Sequence, residues 1–172
     1  KIRGNVRSGH QVFTLYEINP ITHRNYGLDA DGVPIVKTDL GIVSLSDFYQ
    51  LKSDLFAVLE RGLHIDIEYA QLTPGSEAAK QYPYLEPLRS AEIFVEKHRI
   101  GAFGEVKAAV KRKFKLDSTV SACEISLDDI VNQKQTLSVD VELSKFPSVE
   151  RDLTLKVTAD TPFGRIDIAI HS

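Results

Sequence analysis

Asp47-Phe48-Tyr49-Gln50-Leu51-Lys52-Ser53-Asp54-Leu55 is the stretch on which the reading of this chain turns. Carried on to Arg61, it sets Phe48, Leu51, Leu55, Val58 and Leu59 on one face at 3.6-residue spacing, so the pattern predicts an amphipathic helix from about Ser46 to Arg61. Ser46 suits the N-cap, Asp47 the positive end of the helix dipole, and Gly62 the exit. Directly after it, Ile65, Ile67 and Tyr69 alternate with Asp66 and Glu68, the period-two pattern of a half-buried strand.

Upstream, Val12 to Ile18 reads as a strand ended by Asn19-Pro20, and Asn25 to Lys37, with Gly27, Gly32 and Pro34, reads as a loop. Leu40 to Val43 is a short buried strand. Downstream, Ser90 to Glu96 and Arg99 to Val106 form a hairpin about Lys97-His98, followed by a short helix from Lys107 to Phe114 and a strand from Val120 to Ser126. Leu127 to Val131 fits one helical turn or two. Strands at Leu137 to Leu143 and Asp152 to Val157 come next, then a final helix opened by Thr161-Pro162. Antiparallel strands with helices set between them make the fold class α+β.

The chain of 172 residues is long enough for a core of its own, as one domain or one domain plus a fragment. Its net charge of −3 leaves no overall electrostatic footprint for nucleic acid, so any RNA contact must be local or depend on sequence outside this chain. Cys123 is the single cysteine, which rules out a disulfide framework and fits a structural thiol in a reducing, cytoplasmic setting. No apolar run approaches membrane length. Lys1 opens the chain and methionine is absent, which points to a piece of a longer protein.

Each motif that imitates a site has a plainer reading. Asp29-Ala30-Asp31-Gly32 resembles the start of a calcium loop, but the twelfth position, where a bidentate Glu belongs, is Leu40; a turn accounts for it better. His10, His23, His64, His98 and His171 form no metal-ligand spacing with one another or with Cys123. Gly101-Ala102-Phe103-Gly104 lacks the Lys-Ser/Thr ending of a phosphate loop and reads as a strand whose backbone packs closely on a neighbour. Lys107, Lys111, Arg112, Lys113 and Lys115 form the basic cluster, with Lys107, Lys111 and Lys115 on one helix face. A solvated face is its default reading, and a phosphate contact the sharper one. No nucleophile, general acid or general base can be assembled from the spacing.

Three further blocks join the opening stretch. They are Leu85-Glu86-Pro87-Leu88-Arg89-Ser90-Ala91, then Arg99-Ile100-Gly101 with Phe103-Gly104-Glu105, and Lys145-Phe146-Pro147-Ser148-Val149-Glu150-Arg151-Asp152-Leu153. In this order, and with Asn5-Val6-Arg7 and Leu15-Tyr16-Glu17-Ile18 ahead of them, the chain resembles the C-terminal half of the β subunit of bacterial-type phenylalanyl-tRNA synthetase. Asn19, Gln50, Ser53, Glu86, Leu88 and Glu150 depart from the family's usual residues.

The resemblance implies a class II synthetase-like module over residues 1–143, an antiparallel sheet with flanking helices and without catalytic residues. Residues 144–172 would begin a ferredoxin-like anticodon-binding domain, with Lys145 and Arg151 as candidate RNA contacts. It implies an α-subunit partner in an α2β2 tetramer, tRNA(Phe) as RNA partner, no membrane, no cofactor for this chain, and ATP and Mg for the whole enzyme. The helix carrying Phe48, Tyr49 and Lys52 is the candidate α-subunit interface, because Phe56 lies off its apolar stripe and adds apolar area beyond one face. A non-catalytic interaction module on the same fold is the alternative. An independent small-molecule enzyme would need a convergent polar pocket.

Overall fold

Six strands carry the architecture: β1 Thr14–Thr22, β2 Val36–Ser44, β3 Glu68–Gln71, β4 Leu85–Val95, β5 His98–Val106 and β6 Ser121–Ser126. They pair antiparallel throughout, in the order β1-β2-β6-β5-β4-β3. The computed structural model describes residues 2–9, 12–134, 154–158, 161 and 163–171. Helices α1 Ile2–Arg7, α2 Phe48–Phe56, α3 Glu77–Gln81, α4 Ala108–Lys113 and α5 Leu127–Lys134 belong with the sheet to one compact unit, Lys1–Ser138. Val139–Ser172 is a second unit holding α6, Phe163–His171.

Register assigns the two faces. Ile42, Cys123, Phe103 and Ala91 are successive partners across β2, β6, β5 and β4, and so share one face. Val43, Ala122, Gly104 and Ser90 share the other. The first face takes α2, whose Leu51, Leu55 and Leu59 row packs on Ile93, Phe103, Cys123 and Ile125 in the main core. Fully burying each such leucine stabilises the fold by about 1.5–3 kcal/mol. The second face carries a smaller cluster of Leu72, Ala78, Tyr82, Leu85, Ala102 and Ala122.

Two glycines let this sheet close. A Cβ on Gly101 would lie 2.1 Å from the Glu124 carbonyl oxygen, and one on Gly104 would lie 1.9 Å from Ser90 Oγ and 2.6 Å from Ser90 Cα. Close backbone approach is therefore what the glycines of β5 do, as the sequence suggested.

Several element bounds differ from expectation for identifiable reasons. Asp47, not Ser46, caps α2, its carboxylate accepting from the Gln50 N–H at 2.9 Å; Ser46 Oγ donates instead to Ser44 Oγ at 2.9 Å. Beyond Phe56 the helix widens into a π turn over Ala57–Gly62, with the Leu63 N–H reaching the Val58 carbonyl at 3.1 Å. The 3.6-residue period lapses there, so Leu59 stays buried while Val58 turns outward at 53% exposure. His64, at φ 52°, rather than Gly62, takes the left-handed exit.

Asn19-Pro20 does not end β1, because β1 is an edge strand and the missing proline N–H is not needed. Pro87 falls within β4 where the register with β5 breaks between Leu85 and Ser90. The hairpin turn is Glu96-Lys97, both at positive φ (48° and 68°), one residue earlier than Lys97-His98. Strand β3 begins at Glu68, so Ile65 and Ile67 lead into it rather than belonging to it. Helices α1 and α3 had no counterpart in the sequence pattern. The expected strand at 137–143 lies outside the described residues, and 154–157 of the expected strand at 152–157 are not in a strand.

Candidate functional site

The α2 face ends at a cavity of about 520 Å³ that opens between α2 and the β3–β4 edge. Phe48 enters its wall by stacking on Phe103, with centroids 4.8 Å apart and planes at 17°, so the ring belongs to the rim of the core. Tyr49, one residue on, turns outward and is 77% exposed. Lys52 places its Nζ 4.8 Å above the Tyr69 ring, a cation–π contact, while Tyr69 meets Phe103 edge-on at 5.6 Å. Leu88 and Ala91 add apolar wall, Gln71 and Ser90 polar wall, and Arg89 is held by Glu105 at 2.9 Å. The Tyr69 hydroxyl is buried with no hydrogen-bond partner among the described residues, and burial, followed by Glu60 and Cys123, pushes its pKa up to about 12. Phe48 and Tyr49 thus line this opening, while Lys52 reaches it only through the Tyr69 ring, so the three lie in different environments.

On the opposite face a smaller polar cavity of about 190 Å³ was not foreseen. Tyr26 donates to Asp39 Oδ2 at 2.5 Å, while the buried Asp39 Oδ1 has no partner among the described residues. Burial raises the Asp39 pKa, and the Asp129 and Asp128 carboxylates add to it; the Tyr26 hydrogen bond and Lys37 work against the rise. Burial and the Asp39 carboxylate raise the Tyr26 phenol in turn. Lys37 Nζ grips both Asp129 oxygens at 2.6 and 2.8 Å, and Arg99 reaches Gln81 at 2.7 Å and Glu92 at 3.2 Å. The cations of this cavity are therefore engaged by the protein itself. Beside it, burial pushes the Tyr82 and Tyr84 hydroxyls up, and the neighbouring Glu124 carboxylate adds to the rise at both. Residues 92 apart in the chain meet here, a separation that no local pattern reports.

The remaining candidates resolve simply. Asp29 Oδ1 accepts from the N–H groups of Asp31 and Val33 at 3.0 and 2.8 Å, with Gly32 at φ 80°, which makes the segment a self-capped turn. Cys123 is fully buried and its thiol pKa is raised by burial, then by Glu124, which suits a structural thiol. Among the described residues, no three His, Cys, Asp or Glu side chains are placed to hold a metal ion. Lys145 and Arg151 lie outside the described residues.

Comparison with known proteins agrees with this architecture. A pyrrolysyl-tRNA synthetase of Desulfitobacterium hafniense superposes with a TM-score of 0.57 at 10% identity, covering 78% of this chain and 46% of that one; the likeness is one of fold, a class II synthetase-like sheet. The phenylalanine–tRNA ligase β subunit of Vibrio parahaemolyticus is 36% identical over 121 residues, covering 70% of this chain and 15% of the relative. That of Blochmanniella floridana is 32% identical over 116 residues, covering 65% and 13%. The chain thus spans only about one seventh of the length of these curated relatives. Residues 2–127 match the family model described as the phenylalanyl tRNA synthetase beta chain CLM domain, and the chain belongs to that family.

Proposed function

We propose that this chain is the catalytic-like module of a phenylalanine–tRNA ligase β subunit, serving subunit assembly and tRNA binding while the chemistry is done elsewhere. The family match over residues 2–127 carries the reading. The engagement of Lys37 by Asp129, and of Arg99 by Gln81 and Glu92, supports a non-catalytic role, because these cations already have partners. In the whole enzyme, ATP, Mg and phenylalanine are handled by an α subunit in a cytoplasmic α2β2 assembly that charges tRNA(Phe). Residues 144–172 begin a ferredoxin-like anticodon-binding domain, with Lys145 and Arg151 toward RNA.

The opening lined by Phe48 and Tyr49, with Lys52 on the same helix, is the α-subunit contact in this reading, and the exposed Tyr49 ring beside this mixed polar and apolar cavity supports it. Co-expression of the full-length parent chain with its matching α subunit tests this directly. The two should co-purify, and Tyr49→Asp should weaken the complex at least tenfold. A folded parent chain that does not hold α would favour the alternative, a free-standing interaction module.

A further inference from the structure

We propose that the end of α4 is an RNA-backbone contact, in which Arg112, Lys113 and Lys115 meet phosphates around Phe114 and a base stacks on that ring; this rests on the reading above. Lys107 to Lys115 holds five cations, with no acid between Glu105 and Asp117. Outside that stretch the other sixteen cations of the chain face twenty-four anions, so the patch is a local positive field on an acidic molecule.

The structure divides the five. Lys107 Nζ donates to the Pro83 carbonyl at 2.8 Å and Lys111 Nζ to the Ser118 carbonyl at 3.3 Å, so these two secure neighbouring loops rather than share a free face with Lys115. Arg112, Lys113 and Lys115 stay exposed, and Phe114 in their midst is 62% exposed. Cations flanking a bare aromatic ring are the pairing by which proteins hold single-stranded nucleic acid: charge tracks the backbone and the ring takes a base of any identity.

The backbone adds an independent observation. Leu116 N–H bonds the Lys111 carbonyl and Lys115 N–H the Arg112 carbonyl, which closes α4 with a Schellman motif. Lys115 occupies its left-handed position at φ 55°, where glycine is the unstrained choice. A lysine held there against its backbone preference is explained if its charge is used.

The test uses the full-length parent chain with its α subunit. Replacing Arg112, Lys113 and Lys115 together by Ala should raise the KM for tRNA(Phe) about tenfold and flatten its logarithmic salt dependence by about 2. Phenylalanine-dependent ATP–pyrophosphate exchange without tRNA should not change. Lys115→Gly separates structure from contact: the melting midpoint should hold or rise while the KM for tRNA rises about threefold. Unchanged KM in both variants would overturn the proposal. So would loss of α association with tRNA affinity intact, since the patch would then meet an acidic protein surface. Should the wild-type pair fail to charge tRNA at all, the underlying reading fails. The patch is then judged by titrating labelled tRNA(Phe) onto the parent chain, where equal affinity of wild type and triple variant overturns it and a tenfold gap supports it.

Discussion

On one face of the sheet, α2 presses Leu51, Leu55 and Leu59 onto Ile93, Phe103, Cys123 and Ile125, with all seven at 2% exposure or less. On the other, Tyr26, Asp39, Lys37, Asp129 and Arg99 surround a polar cavity and are held by hydrogen bonds and ion pairs. The first face is specified by volume, because close-packed apolar groups resist any change of shape and do not titrate. The second is specified by partners, so its stability should follow pH and depend on which atoms are paired. One sheet thus divides the work: the apolar face stiffens the module, and the polar face keeps charges occupied.

The sharpest way to break this contrast is Phe103→Ala. Phe103 is fully buried and touches Phe48 and Tyr69, so urea unfolding should show a loss of about 3–5 kcal/mol with no pH dependence between 5 and 8. A loss under about 1 kcal/mol would mean that the α2 face is not the rigid one. Next, Gly104→Ala should cost about 1–3 kcal/mol, since the new methyl meets Ser90 at its Cα as well as its hydroxyl and β4 must shift. Asp47→Ala removes the cap on the Gln50 N–H and should cost about 1 kcal/mol, whereas Ser46→Ala should cost much less; the reverse order would refute the cap assignment.

The smallest and most diagnostic effect belongs to the polar face. Burial raises the folded pKa of Asp39 above its ordinary 3.8, so in the intervening range the native state binds more protons than the unfolded chain. The stabilising contribution of the protonated form is therefore complete below about 3.8 and is lost as pH rises through the raised folded value. Asp39→Asn should abolish that part of the pH profile and leave stability near neutrality equal or higher. Unfolding curves recorded across pH for the two proteins check it, and an unchanged slope would count against a raised Asp39.

How far these faces could be read beforehand follows the same division. The α2 row was legible because its apolar period is local, and the strands β5 and β6 because short apolar runs bounded by turn residues are local too. The π turn was not, since Val58 and Leu59 both fit the helical stripe until the geometry widens. Nor was the run of β1 through Pro20, which depends on the strand lying at an edge, a fact of topology. The Tyr26–Asp39–Lys37–Asp129 network joins residues from three separate elements and had no sequence signal beyond the acidic pair Asp128-Asp129 opening α5. Of the interface candidates, Phe48 was legible as part of the apolar stripe and Phe56 as the surplus on that helix, whereas the stack of Phe48 on Phe103 and the Lys52–Tyr69 contact join distant strands and had no local signal.

The central claim is that this module serves a phenylalanine–tRNA ligase without performing its chemistry. The most direct measurement is the rate at which the α subunit, combined with the full-length parent chain, attaches phenylalanine to tRNA(Phe). The account predicts charging that requires both chains and survives Asp39→Asn and Tyr69→Phe with little change. A pair that assembles but does not charge tRNA(Phe), or a rate that collapses with either substitution in a folded complex, would contradict it.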